Sequence, residues 1–123
     1  MASQSSARRG SPHAGSRRIS AALSEFAAAL RSIYGQDAPR IIAYGSYARK
    51  QMTAGSDIDL LLLYPGDIRS GQEIVRVSPV LADMNLRYHV LISVLPVSRA
   101  DYDKAVGAFW QNVRREGVVL DAG

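Results

Sequence analysis

Asp57 and Asp59 alternate across Ile58, so on an extended strand both carboxylates point to one face. Two carboxylates on one face repel each other unless a cation sits between them. A hard cation that takes oxygen ligands, Mg2+ or Mn2+, suits such a pair. The apolar run Leu60–Leu63 directly behind would anchor the pair in a core, as a preorganised site requires. Upstream, Gly45-Ser46 ends the β-prone run Arg40–Tyr44 and leads into Tyr47–Met52, where a short helix is expected. A helix opening there would turn free backbone N–H groups toward an anion such as phosphate. Gly45 would let the backbone come close, and the Ser46 hydroxyl can add a hydrogen bond. Arg49, one turn on, and its neighbour Lys50 could meet the same phosphates. Arg49 is equally well placed for an ordinary surface ion pair.

Taken together, 45–59 (GSYARKQMTAGSDID) has the parts that nucleotidyl transfer asks for. That chemistry needs a triphosphate held in place, an in-line attacking hydroxyl, and metal ions that offset charge on the attacking and leaving oxygens. Gly-Ser alone is nearly uninformative, and Asp-x-Asp recurs by chance. The two in order, separated by ten residues and set in a strand–turn–strand context, are far more specific.

Several elements must position these residues. A helix is expected from a cap at Ser20 to about Tyr34, with Leu23, Phe26, Ala27, Leu30 and Ile33 on one stripe, and Gly35 stops it. Thr53-Ala54-Gly55-Ser56 turns the chain into a central strand, Asp57–Tyr64. Ile74, Val77, Leu81 and Met84 mark a helical face, with Pro79 as a kink or a late start. Tyr88–Val97 reads as a third strand. Ser98 caps a last helix whose stripe is Tyr102, Val106, Phe109, Trp110 and Val113, and Val118–Leu120 reads as an edge strand. Phe109 and Trp110 are expected as core or interface aromatics rather than a base-stacking platform, while Tyr44 and Tyr47 flank the Gly-Ser turn. The fold class is α/β (α+β), a small mixed sheet flanked by helices.

Composition narrows the function classes. The 123 residues suit one domain, and without cysteine there is no disulfide framework, thiol nucleophile or zinc–thiolate site. The longest apolar runs fall far short of a bilayer span, so no membrane association and a cytoplasmic location are expected. The net charge of +4 is carried by Arg8, Arg9, Arg17 and Arg18 in residues 1–18, which read as a disordered basic tail. Residues 19–123, the domain itself, balance at 11 basic and 11 acidic side chains, so nucleic acid is not an expected partner.

The residues IIAYGS, then YARKQMTAGS, then DIDLLLL resemble the signature of the minimal nucleotidyltransferases of the DNA polymerase β superfamily. Tyr47-Ala48-Arg49-Lys50, Gly55-Ser56-Asp57 and the C-terminal FWQNVRREGVVL are also similar to that family. The resemblance implies a polymerase β palm-like fold and metal-dependent transfer of a nucleoside monophosphate, AMP from ATP foremost, onto a hydroxyl. It assigns phosphate binding to Gly45 and Ser46, and metal to Asp57 and Asp59. It also implies a third carboxylate on a later strand. Tyr88–Val97 has none, and His89 and Ser93, sharing one face, are its candidates for that place. Asp83, Asp101 and Asp103 are explained more simply by helix surfaces and a helix start. Stand-alone members of this kind resemble the antitoxin partners of HEPN-type toxins, some of which add AMP to the toxin. A homodimer or a complex with a small helical partner is therefore expected. The alternative is a degenerate domain that binds nucleotide or partner without turnover.

Overall fold

The computed structural model describes residues 14–52 and 57–120. The expected turn at 53–56 and residues 1–13 of the expected tail lie outside them. The chain runs α1 (Ala14–Tyr34), a 3-10 turn (Gly35–Asp37), β1 (Arg40–Tyr44), β2 (Ile58–Tyr64), α2 (Ser70–Tyr88), β3 (Ile92–Ser98), α3 (Arg99–Lys104), α4 (Ala108–Glu116) and β4 (Val118–Leu120). The four strands form one mixed sheet in the order β3-β2-β1-β4. β1 is antiparallel to both β2 and β4, whereas β2 and β3 are parallel and joined across α2. This is the small mixed sheet with flanking helices that the sequence predicts.

β2 sits in the middle because its side chains are apolar on both sides, and Ile58, Leu60, Leu61, Leu62, Leu63 and Tyr64 are all buried. Ile58, Leu60, Leu62 and Tyr64 pack with Ile41, Ala43 and Ile92 against Phe26, Leu30, Val77 and Met84 of α1 and α2. Leu61 and Leu63 face the opposite way, onto Ile42, Val113 and the partly buried Leu95, Val97, Tyr102 and Trp110. The second face is covered by fewer large side chains than the first. By the alternation of a strand, Asp59 lies on that second face with Leu61 and Leu63.

At the far end of β2 a polar knot ties three elements. The Tyr34 hydroxyl donates to Glu73 Oε1 at 2.7 Å and lies 3.0 Å from the Tyr64 hydroxyl, with Arg76 3.8 Å from the same carboxylate. Glu73 is buried, so these partners offset the cost of removing its charge from water. Burial and the Tyr34 hydrogen bond push the Tyr64 phenol well above its ordinary range.

Several boundaries depart from the sequence reading. α1 begins at Ala14 rather than at a Ser20 cap, and the exposed Arg17 and Arg18 are good helix formers that continue the α1 spiral outward. Residues 45–50 are wound into turns instead of a regular helix. The Gly45 carbonyl accepts from Arg49 N–H at 3.1 Å, and Lys50, at φ 59°, ends the winding after that turn. α2 starts at Ser70 and passes through Pro79. The carbonyl that Pro79 leaves without a donor is that of Val75, which is 73% exposed and open to water. The third strand begins at Ile92, because α2 continues to Tyr88 and closes on His89 in the left-handed conformation (φ 53°). The last helix is two helices, broken at Gly107 (φ 115°), and this leaves Val106 84% exposed rather than on an apolar stripe. The Ser98 cap is present, its hydroxyl accepting from Asp101 N–H at 3.1 Å.

Candidate active site

Three residues line up across the sheet on the second face, the one that α4 packs against. Tyr44 of β1 pairs with Asp59 of β2, and Asp59 pairs with Ser93 of β3. Cross-strand neighbours in register put their side chains on the same face. The strand begins at Ile58 rather than at the expected Asp57, which is exposed just ahead of it and whose charge acts on Asp59. Ser93 is the β3 residue that meets Asp59.

Gly45 closes the site from the β1 side. Its backbone is left-handed (φ 73°), and a Cβ there would stand 2.7 Å from Asp59 Oδ2. Two separate demands thus fall on one residue, a conformation that other residues strain to adopt and a contact that leaves no room for a side chain. The Gly45 turn and the Asp59 carboxylate pack directly against each other.

The electrostatics agree. Burial, and after it the charge of Asp57, hold the Asp59 carboxyl above the ordinary carboxylate range. Burial, and after it the charge of Asp59, push the Tyr44 phenol upward. A cation between the carboxylates would remove that repulsion. The donor set is hard oxygen, suited to Mg2+ or Mn2+, and the residues that would hold the ion are Asp57 and Asp59. Among the described residues no group of three or more His, Cys, Asp or Glu side chains could hold a metal.

The other expected site residues divide. Ser46 is half-buried and its hydroxyl donates to Met52 Sδ at 3.4 Å, which turns it toward the 45–52 connection. Arg49 lies 3.5 Å from Glu116 of α4, and its Nε donates to Gln51 Oε1 at 3.1 Å. The surface-ion-pair alternative for Arg49 is the one seen here. Lys50 is exposed and has no ion pair among the described residues, which leaves its ammonium available to an anion. His89, placed on a strand face beside Ser93 by the sequence reading, caps α2 instead and is exposed there. His89 and Ser93 therefore do not share a strand face.

Sequence reasoning missed two neighbours of the site. One is Glu116, the last residue of α4, whose reach to Arg49 depends on where α4 packs and leaves no local signal. The other is Phe109. The sequence placed it with Trp110 on one apolar stripe, and nothing local tells which of two adjacent aromatics a helix leaves exposed. Trp110 packs edge-on to Tyr102 (5.9 Å) over the second face, while Phe109, 42% exposed, stands edge-on to Tyr44 at 5.4 Å.

Comparison with known proteins points the same way. A family model for the nucleotidyltransferase domain matches residues 23–102. A Methanocaldococcus jannaschii protein named "putative protein adenylyltransferase" is 36% identical over 100 residues, covering 80% of this chain and 94% of that protein. Among solved structures, one described as a "putative nucleotidyltransferase" from Sulfolobus solfataricus superimposes with a TM-score of 0.61 at 16% identity, over 89% of this chain and 88% of its own. A toxin–antitoxin structure with AMP-PNP aligns with a TM-score of 0.53 at 14% identity, over 78% of this chain and 70% of its own. These structural likenesses concern the fold. With a carboxylate pair packed on a glycine turn at the heart of the matched segment, the chain belongs to the nucleotidyltransferase domain family.

Proposed function

We propose that this protein transfers a nucleoside monophosphate, AMP from ATP with Mg2+ or Mn2+, to a hydroxyl on a partner protein or small molecule. A HEPN-type toxin is the favoured partner and antitoxin the biological role. The observation that carries this reading is the contact between Gly45 and Asp59, which joins a phosphate-type turn to a paired carboxylate. The relative named for protein adenylyl transfer and the toxin–antitoxin neighbour with AMP-PNP support the choice of nucleotide and partner.

In the reaction, an acceptor hydroxyl oxygen bonds to the α-phosphorus, the bond from that phosphorus to the bridging oxygen breaks, and pyrophosphate leaves with the electron pair. The acceptor proton passes to solvent or to a nearby base. The metal, when bound, supplies charge neutralisation at the triphosphate. The residues of the chain bind and orient: the 45–50 turn holds phosphate oxygens, Lys50 adds positive charge, and Asp57 and Asp59 fix the ion's position.

The test is transfer of label from ATP to candidate partners in Mg2+, comparing wild type with Asp57→Asn and Asp59→Asn. Label that persists in both variants would falsify the two-carboxylate mechanism. A second reading, a nucleotide- or partner-binding domain without turnover, rests on Ser93 standing where β3 meets Asp59. A hydroxyl is a weaker metal ligand and base than a carboxylate. Metal-dependent ATP binding with no labelled product under any condition would favour it, and Ser93→Asp would then be expected to raise metal affinity.

A further inference from the structure

Among the exposed large apolar side chains of the described residues, Phe109 is the aromatic one. It follows Ala108 at the start of α4, the helix laid over the second face of the sheet, yet it is 42% exposed while its neighbour Trp110 is half-buried. Its ring meets Tyr44 edge-on at 5.4 Å and Trp110 edge-on at 5.0 Å, so two aromatic contacts fix its orientation. Tyr44 is the β1 residue paired with Asp59, and it directly precedes Gly45. Phe109 thus lies next to the residue that borders both Asp59 and the Gly45 turn.

We propose that Phe109, held in place by Tyr44, is the stacking surface for the base of the nucleoside triphosphate whose phosphates and metal lie at Gly45, Asp57 and Asp59. The proposal rests on the nucleotide-binding reading above and adds to it where the base goes. Phe109 keeps 42% of its surface open to a ligand, and because two neighbouring rings already restrain it, little side-chain entropy remains to be lost when a base settles on it. Stacking reads a π-face rather than a hydrogen-bonding edge, so this surface tolerates different bases. Nucleotide choice, where it exists, comes from other groups.

The single tryptophan gives the measurement its optical handle, because Trp110 touches Phe109 and its fluorescence responds to a base placed there. The experiment measures dissociation constants for ATP, CTP and inorganic tripolyphosphate in Mg2+, for wild type, Phe109→Ala and Phe109→Tyr. Calorimetry accompanies the fluorescence titration, and circular dichroism checks the fold of each variant. Phe109→Ala is expected to weaken ATP and CTP by about tenfold and to leave tripolyphosphate unchanged, with Phe109→Tyr restoring nucleotide affinity. Equal weakening of all three ligands makes Phe109 a structural support and overturns the proposal. Unchanged ATP affinity in Phe109→Ala overturns it too, and a simultaneous loss of partner-protein binding would reassign Phe109 to a protein interface. If wild type binds tripolyphosphate as tightly as ATP, the phosphate site stands and the base surface falls. If wild type binds neither, the nucleotide reading itself falls.

Discussion

At the scale of single residues, Gly45 and Asp59 constrain each other. Gly45→Ala would place a methyl group 2.7 Å from the Asp59 carboxylate oxygen on a left-handed backbone. The variant is expected to lose about 1–3 kcal/mol of stability in chemical denaturation and most of its metal-dependent nucleotide binding. Asp59→Asn should act in the opposite direction on stability. Folding raises the Asp59 pKa, so the metal-free folded state holds that proton more tightly than the unfolded chain does. The stabilisation linked to it is complete below the unfolded pKa and is lost as pH rises through the raised folded value, so at neutral pH the carboxylate is a burden on the fold. In chelator, Asp59→Asn should therefore melt a few degrees above wild type at pH 7, with the gap closing toward pH 4, while Mg2+ no longer shifts its melting temperature. A lower melting temperature for the variant at pH 7 would contradict this account. Arg49 supplies a third prediction. Glu116→Gln removes its ion-pair partner and should tighten tripolyphosphate binding a few-fold at low salt, an effect that fades as salt is added. Titration calorimetry at two ionic strengths reads it directly.

At the scale of elements, the sequence showed most where periodicity is local. The alternation across Ile58 and the apolar run behind it placed Asp59 and the central strand, because a period of two needs no tertiary knowledge. The apolar segment around Val90 was harder. Nothing in its pattern says that His89 turns left-handed and that the strand waits for Ile92, whose N–H is taken by Asn85 Oδ1 at 3.1 Å. That cap is chosen by how α2 meets β3, and it removed His89 from the strand face. Pro79 misled for a related reason, since the orphaned carbonyl belongs to Val75, which is 73% exposed, and α2 runs on through it. Pro79→Ala would restore the missing α2 hydrogen bond and is expected to stabilise the domain by about 1 kcal/mol, the gain in the helix exceeding the entropy returned to the unfolded chain. Equilibrium denaturation of the variant settles the sign.

At the scale of the whole molecule, the site lies on the face of the sheet that carries the smaller apolar cluster. α1 and α2 take one face of the sheet, and the short α3 and α4 cover only part of the other. Few of the described residues remain to enclose an acceptor, in keeping with the second protein proposed to complete the site. Ligand binding should still register on global stability by mass action. Mg2+ with ATP at 100 times the dissociation constant is expected to add about 2.7 kcal/mol, an increment abolished by chelator and absent from Asp57→Asn. Among the described residues no helix is long and apolar enough to cross a membrane.

The central position of β2 has a consequence for how this domain can tolerate changes in length. Its register is held from both sides, with Asp59 opposite Tyr44 on one neighbour and Ser93 on the other, and leucines are buried above and below the sheet. A residue added to the connection between Lys50 and Asp57 would be absorbed before the strand begins. One added between Asp59 and Tyr64 would rotate half of the strand by a full face, exchanging a carboxylate for a leucine at the reactive surface and burying charge against Phe26 and Met84. Insertions are thus permitted next to the site and forbidden immediately after it, and a scan of single-alanine insertions from 50 to 64 should show a sharp step at Asp59.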